Sequence, residues 1–439
     1  MRVEGGLLDV LESVAGRGLS EIEVFHKRGR SRSLRRELVG ETSNLSHEEG
    51  FAVRAGDDRR SFFYAAAGPP RAETPWPEAD GAGLSLPEPR PIPEWSPADD
   101  FEAPLVGENE ARALLDQVEK ELDREIPGAK MLFGFLEDGA SEQQIASSRG
   151  VRVRTLHRAA SLFVEARGPN RRSRAVSLTV AEREARRFRP EALARRLADR
   201  LLIHERGSSP ARDRGEFLLS HDVMSALLSR LLGLFVGGEA AMRATRQTGP
   251  QGRRAGRQVT LIDDGRLPGG LLESPVDGEG MPTGAVKLVE EGVYRQPLTG
   301  FGGVQPGAPR LEPTGCRRRP GWRDLPVEGA SHFYLRPDPS VGVADLLSSL
   351  SRGYYLLGVE GAVRLEDGHR RFAVPVSGFA IDGGRATGSI AGAWLTGSVP
   401  SFLGGVVALG RDLMFQPTSS ALVGSPSAMI RGLELRQKL

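Results

Sequence analysis

Residues 207–215, GSSPARDRG, are polar and rich in turn formers, and the chain changes character across them. Ahead of this joint, apolar residues recur at helical spacing in three places and alternate with polar ones in between. Beyond it glycine becomes dense, helical periodicity is scarce, and many short strand-like runs are separated by glycine turns. A chain of 439 residues has room for two or three domains at roughly 100–200 residues each. We therefore expect an α+β protein of two domains. Residues 1–206 form a mixed α+β domain, and residues 216–439 a mostly antiparallel, barrel-like β domain.

Within the first half, Leu7, Leu8, Val10, Leu11 and Val14 share a helical face that Gly16 and Gly18 terminate. The alternation in 21–27 predicts a half-buried strand, and 32–38 a second, more polar one. Runs 50–54 and 60–64 flank Gly56-Asp57-Asp58 as a hairpin. Ala111, Leu114, Leu115, Val118 and Leu122 predict an amphipathic helix over 107–124. Strands are expected at about 130–136, 142–148, 151–157, 160–166 and 173–179. Thr179–Glu182 reads as a capping box that opens a helix, restarted by Pro190 and ending near Glu205. Ten prolines fall within 69–104. They remove backbone donors, so this stretch is expected to be an extended surface excursion within the first domain. In the second half, helices are expected at 221–236, 342–352 and 399–412.

Charge and cysteine content narrow the function classes. Lys and Arg total 59 against 57 Asp and Glu, a net charge of +2, which excludes a strongly basic nucleic-acid coat. Eighteen arginines lie between Arg149 and Arg214, but acids interleave them, so a solvated face is expected rather than a nucleic-acid groove. The lone Cys316 excludes an internal disulfide framework and any cysteine-cluster metal site. Its cationic neighbours Arg317–Arg319 predict a lowered thiol pKa. No secretory signal or uninterrupted apolar span is present, so a cytoplasmic protein away from membranes is expected.

Tests for catalytic motifs return little. No two of the seven histidines stand four apart, so a helical zinc pair of the His-Glu-x-x-His type is absent. Asp222 sits where a carboxylate offsets a helix dipole. No serine occupies a Gly-x-Ser-x-Gly elbow, and no phosphate loop exists. The segment Ser274–Thr283 stands apart: Asp277 and Glu279 lie two residues apart among Gly278, Gly280 and Pro282. On extended backbone they point to the same side. By themselves these residues read equally as a tight turn or as a site.

A series of motifs across 215–439 resembles the TldD/PmbA family. SPVDGEG (274–280) with Pro282-Thr283, followed by LVEEGV (288–293), resembles the family's Asp-x-Glu-Gly block and the strand after it. FYLRP (333–337), the run from Asp345 to Leu357, Val374–Gly383, Gly410-Arg411-Asp412-Leu413 and Gly424-Ser425-Pro426-Ser427 follow in the family's order. The N-terminal half resembles the family more loosely, chiefly over Glu21–Tyr64.

The resemblance implies one of two subunit types. One carries a His-Glu-x-x-x-His zinc helix and a late cysteine ligand; the other, TldE/PmbA-like, lacks them and pairs with the first. In the corresponding helix this chain reads Ser229-Arg230-Leu231-Leu232-Gly233-Leu234, and Pro417–Gly424 holds no cysteine. The implied protein is a non-catalytic subunit without a metal or cofactor of its own. Its partner is a TldD-like subunit holding zinc, and its substrates are unfolded or leader-type peptides, with no nucleic acid or membrane involved. The resemblance makes Asp277, Gly278, Glu279 and Gly280 a candidate cavity or interface motif, and Gly424, Ser425, Pro426 and Ser427 the family-like C-terminal motif. The competing readings are a standalone homodimer that binds peptides without cutting them, and a metal-independent hydrolase using Asp277 or Glu279.

Overall fold

A computed structural model of the protein describes residues 5–437 apart from 16–17, 70–75, 78–82, 93–99, 171–173, 209, 211, 238–254, 302–310, 367–370 and 420. The N-terminal domain contains α1 (Gly5–Ala15), β1 (Glu21–Glu37), β2 (Gly40–Gly56), β3 (Ser61–Ala66), α2 (Glu108–Glu125), β4 (Lys130–Ser147), β5 (Arg152–Arg167), β6 (Val176–Glu182) and α3 (Pro190–Arg206). The strands form one antiparallel sheet in the order β3-β2-β1-β4-β5-β6. Because side chains alternate along a strand, the sheet has two distinct faces. One buries Leu34, Leu136, Leu162 and Leu178 under α2 and α3, and Ile22, Val24 and Val53 under α1. The other face turns toward the C-terminal domain.

Four strands are far longer than expected, among them β2, which runs Gly40–Gly56 where only 50–54 is expected. The expected strands at 21–27 and 32–38 are one, β1, and the pairs at 130–148 and 151–166 fuse into β4 and β5. Their middles carry arginine, glutamate, serine and glycine, which give no apolar alternation. They are nonetheless paired in register along their length, as in Arg30↔Ala140 and Ala140↔Arg158. The capping box at Thr179 is not used. Thr179 pairs with Phe163 inside β6, and Val176 and Leu178 are buried beneath the helices. The helix starts instead with Pro190 in its first turn, where a missing N–H does no harm. Of the proline-rich stretch, 70–75, 78–82 and 93–99 lie outside the described residues. Its remaining parts contain no helix or strand. They are tied to the sheet by Leu86 N–H to Glu21 (3.1 Å) and Arg158 to the Pro104 carbonyl (2.9 Å), and just beyond the stretch Val106 N–H donates to Asp138 (2.7 Å).

The C-terminal domain continues with β7 (Arg212–Asp213), β8 (Glu216–Leu219), α4 (His221–Leu231), β9 (Leu261–Asp264), β10 (Ala285–Glu290), β11 (Val293–Tyr294), β12 (Arg317–Arg318), β13 (Val327–Glu328) and β14 (His332–Leu335). It ends with α5 (Val343–Ser349), β15 (Arg352–Val359), β16 (Arg364–Glu366), β17 (Arg371–Asp382), β18 (Arg385–Ser398), α6 (Val399–Gly404), β19 (Val406–Leu409), β20 (Met414–Pro417), β21 (Leu422–Ser425), β22 (Ala428–Ile430) and β23 (Glu434–Arg436). One sheet runs β11-β10-β9-β14-β21-β20. The larger runs β19-β22-β8-β15-β17-β18-β23-β7, with β16 on β17. Phe217, Leu356 and Val374 of the larger sheet share a core with Leu261, Phe333 and Val423 of the smaller and with Leu227, Leu228 and Leu231 of α4.

Two corrections follow. The domain is mostly antiparallel, with parallel pairs β8–β15 and β14–β21, but neither sheet closes into a barrel among the described residues. The core lies between two open sheets instead. The expected helix at 399–412 ends at Gly404, and the chain returns as β19 alongside β22. No helix among the described residues is long and apolar enough to cross a membrane.

Candidate functional site

Residues 276–282 form a tight loop closed by a bridge between Val276 and Pro282, with Asp277 N–H donating to the Met281 carbonyl at 2.8 Å. The Asp277 carboxylate accepts from three backbone N–H groups: Glu279 at 2.9 Å, Met281 at 3.0 Å and Arg317 at 3.0 Å. Burial and the neighbouring Glu279 charge push Asp277 up to about 6, against the downward pull of those donors. Its oxygens are thus committed to shaping the loop. Gly280 has φ +80, and a Cβ there would lie 2.4 Å from a Val151 methyl group. Only glycine meets both conditions, so this turn can rest directly on the loop entering β5.

Glu279 points the other way, into the N-terminal domain. It accepts from Arg54 at 2.9 Å and lies 3.6 Å from Arg317 Nε. Arg54, on β2, also binds Glu23 of β1 through two bonds of 2.9 and 2.8 Å. Arg319 donates to Glu23 and to the Gly278 carbonyl. The Glu23 and Arg319 side chains are 1% and 0% exposed. Burial alone would raise the Glu23 pKa, but Arg319 and Arg54 outweigh it and hold the carboxyl below its usual range. Two carboxylates and two guanidiniums, with Arg317 at their edge, therefore close a buried joint between the domains. Phe25, Val153, Val276 and Trp322 pack beside it.

A cavity of about 670 Å³ lies next to this joint, between the second face of the N-terminal sheet and the C-terminal domain. Gly29, Ser31, Gly139, Ser141 and Ala159 form a floor of small side chains. Leu272, Val276, Val327 and Leu422 supply apolar wall. Asp277 and Gly278 line the cavity; Glu279 and Gly280 do not. Lys27, His157 and Arg318 also line it, and sequence reasoning singled out none of the three. The pleat could have found His157, because it is cross-strand from Ser141 and so shares the floor. Burial and the nearby positive charges of Arg318, Arg183 and Lys27 depress His157 to about 4, so it is neutral at pH 7.

The structure scatters the other singled-out residues. Gly424 and Ser425 belong to β21, where a Cβ on Gly424 would fall 2.7 Å from the Phe415 ring. Ser425 is buried and donates to the Pro426 carbonyl. Ser427 donates to Asp412 at 3.0 Å through its N–H and at 2.7 Å through its hydroxyl. The C-terminal motif is thus a packed strand end joined to Gly410–Leu413, and its serines are engaged. Cys316 is buried, and burial pushes its thiol up to about 12. The expected lowering fails because burial dominates and the Asp277 and Glu328 carboxylates add to it, while Arg317 and Arg319 reach toward carboxylates elsewhere. On α4, Leu227, Leu228 and Leu231 point into the core while Arg230 is exposed. Asp222 is bonded by Arg196, Arg200 and Gln416; against the effect of burial, His221, Arg200 and Arg196 keep its carboxyl well below the usual range. Leucines and an arginine-paired carboxylate do not fit a zinc ion, and no group of three or more metal-binding side chains occurs among the described residues.

Residues 213–437 match the family model described as the PmbA/TldA metallopeptidase C-terminal domain. No curated protein matches. Among solved structures, the fold is similar to TldE from Thermococcus kodakarensis, with a TM-score of 0.85 at 18% identity over 98% of this chain and 100% of that one. It is also similar to a protein of Thermotoga maritima described as a modulator of a DNA gyrase, with a TM-score of 0.80 at 18% identity over 98% and 99% of the two chains. A comparable protein from Bacteroides thetaiotaomicron gives 0.74 at 15% identity, over 98% of each chain. With its matched segment covering more than half of its length and its two-domain fold alike throughout, the chain belongs to the TldD/PmbA family.

Proposed function

We propose that this chain is the metal-free, TldE-like subunit of a two-chain metallopeptidase, organised as domains 1–206 and 216–439. Its role is to complete the enzyme around a zinc-bearing TldD-like partner. The observation that carries this reading is the end of α4 and the turn after it: where the family resemblance puts zinc ligands, the chain offers Ser229, an exposed Arg230, a buried Leu231 and the partly buried Leu232 and Leu234. The likeness to TldE over nearly the whole chain supports it. Zinc and hydrolysis belong to the partner. The substrates are unfolded or leader-type peptides, held as added strands whose main-chain bonds give low sequence selectivity.

The chain acts in the cytoplasm, without nucleic acid or membrane. Arginines such as Arg28 and Arg154 are paired with Glu142 rather than presented to phosphates. A metal-independent hydrolase is disfavoured, because both Asp277 oxygens already accept backbone N–H groups that shape the loop and Glu279 is paired with Arg54.

Co-expression with a family member that carries His-Glu-x-x-x-His tests the proposal. The two chains are expected to co-purify, and unfolded peptide to be cut only by the mixture. Metal-dependent cleavage by this chain alone, or a homodimer that persists beside the zinc-bearing chain, overturns it.

A further inference from the structure

Most of the charge around the interdomain cavity is already committed. Lys27 Nζ donates to the Pro320 carbonyl at 2.7 Å. Arg317 donates to the Pro326 carbonyl at 3.1 Å, and Arg319 binds Glu23 and Gly278. Both Asp277 oxygens accept backbone N–H groups, and Glu328 accepts from Gly300 N–H at 2.7 Å. Arg318 is the exception. It lines the cavity, and its Nε and Nη2 are shielded from solvent with no hydrogen-bond partner among the described residues. Shielded guanidinium donors without partners are expensive to leave alone, even on a half-buried arginine.

We propose that Arg318 is an anchor for a carboxylate, and that the cavity of this chain receives the C-terminal end of a short, apolar peptide. Guanidinium donors suit the two oxygens of a carboxylate. A single cation without a hydrogen-bond partner, with Asp277, Glu48, Glu137 and Glu328 on the same walls and the Asp263 carboxylate within reach of its charge, favours a monoanion over a phosphate dianion. His157 faces the same space as a neutral imidazole that can hydrogen-bond without adding charge. Leu272, Val276, Val327 and Leu422 suit an apolar terminal side chain, and the volume falls within the usual range of ligand pockets. The inference goes beyond the subunit role, because it concerns binding by this chain with or without a catalytic partner.

The test is calorimetric titration of the isolated full chain with acetyl-Ala-Ala-Leu as free acid and as amide, and with inorganic phosphate. The wild type is expected to bind the acid at least about tenfold more tightly than the amide, as suits one charge-assisted contact, and more tightly than phosphate. Arg318→Met is expected to abolish the preference with little change in the urea unfolding midpoint, since the guanidinium it removes is half-buried, leaves Nε and Nη2 without hydrogen-bond partners and acts on the Asp263 carboxylate only through space. Arg318→Lys is expected to keep part of it. Equal binding of acid and amide, no binding of either, or tighter binding of phosphate overturns the proposal. So does a preference that survives in Arg318→Met, or a marked fall in that variant's midpoint, which would make Arg318 a structural counter-charge.

Discussion

Glu23→Gln is the most informative single change, because it removes one charge from the buried joint and leaves the shape nearly intact. Glu23 accepts from Arg54 twice and from Arg319. After the change, Glu279 still neutralises Arg54, but Arg319, whose side chain is 0% exposed, has no carboxylate. Breaking a buried pair by removing one partner typically costs about 3–5 kcal/mol, and we expect that range here. Arg319→Met should cost a similar amount, since it leaves the buried Glu23 with Arg54 alone, which Glu279 shares. The double variant removes both partners and leaves Arg54 paired with Glu279, so its loss should fall at least about 2 kcal/mol short of the sum of the singles. Urea unfolding followed by tryptophan fluorescence is the assay, because Trp322 is buried beside the joint. A loss below about 1 kcal/mol for Glu23→Gln, or an additive cycle, would refute the claim that these charges hold the domains together as a unit.

Other expectations follow from individual residues. Gly280→Val should lower stability by about 2 kcal/mol or more, since positive φ and overpacking each cost roughly 1–3 kcal/mol; a thermal melt unchanged from wild type would contradict the described turn. Asp263, which accepts from the Ser331 N–H at 2.8 Å, is raised by burial from 3.8 to about 6. A folded pKa above the unfolded one gives stabilisation that is complete below about pH 4 and lost as pH rises through about 6. Asp263→Asn should therefore flatten the pH dependence of the urea midpoint across that window. His332 places Nδ1 2.8 Å from the Asp264 carbonyl and accepts the Leu272 N–H at 3.2 Å through Nε2. Burial depresses it, like His157, to about 4. Proton NMR should accordingly find two histidines that stay neutral down to roughly pH 4.

The parts of the fold legible in the sequence are those whose burial repeats with a regular period. The apolar faces of α1 and α2, the Leu193–Leu201 stripe of α3 and the hairpin at Gly56–Asp58 all belong to this class. The middles of β1, β4 and β5 were not legible as continuous strands, because one face pairs arginines with acids and the other floors a cavity with glycine and serine. The same limit applies to the site. Asp277 and Glu279 stood out as two close carboxylates, yet Glu279 finds Arg54 225 positions away, a distance no local pattern spans. The lowered thiol expected at Cys316 failed for a related reason: burial in the core and the carboxylates of Asp277 and Glu328, distant or unremarkable in the local sequence, set the thiol's environment rather than the arginines beside it.

The buried Cys316 makes this protein its own reporter of breathing. With the thiol pushed up to about 12 and packed within the C-terminal core, an alkylating reagent can reach it only when that core parts. Labelling rates measured against urea would thus distinguish a transient gap between the two sheets from complete unfolding, without any added probe.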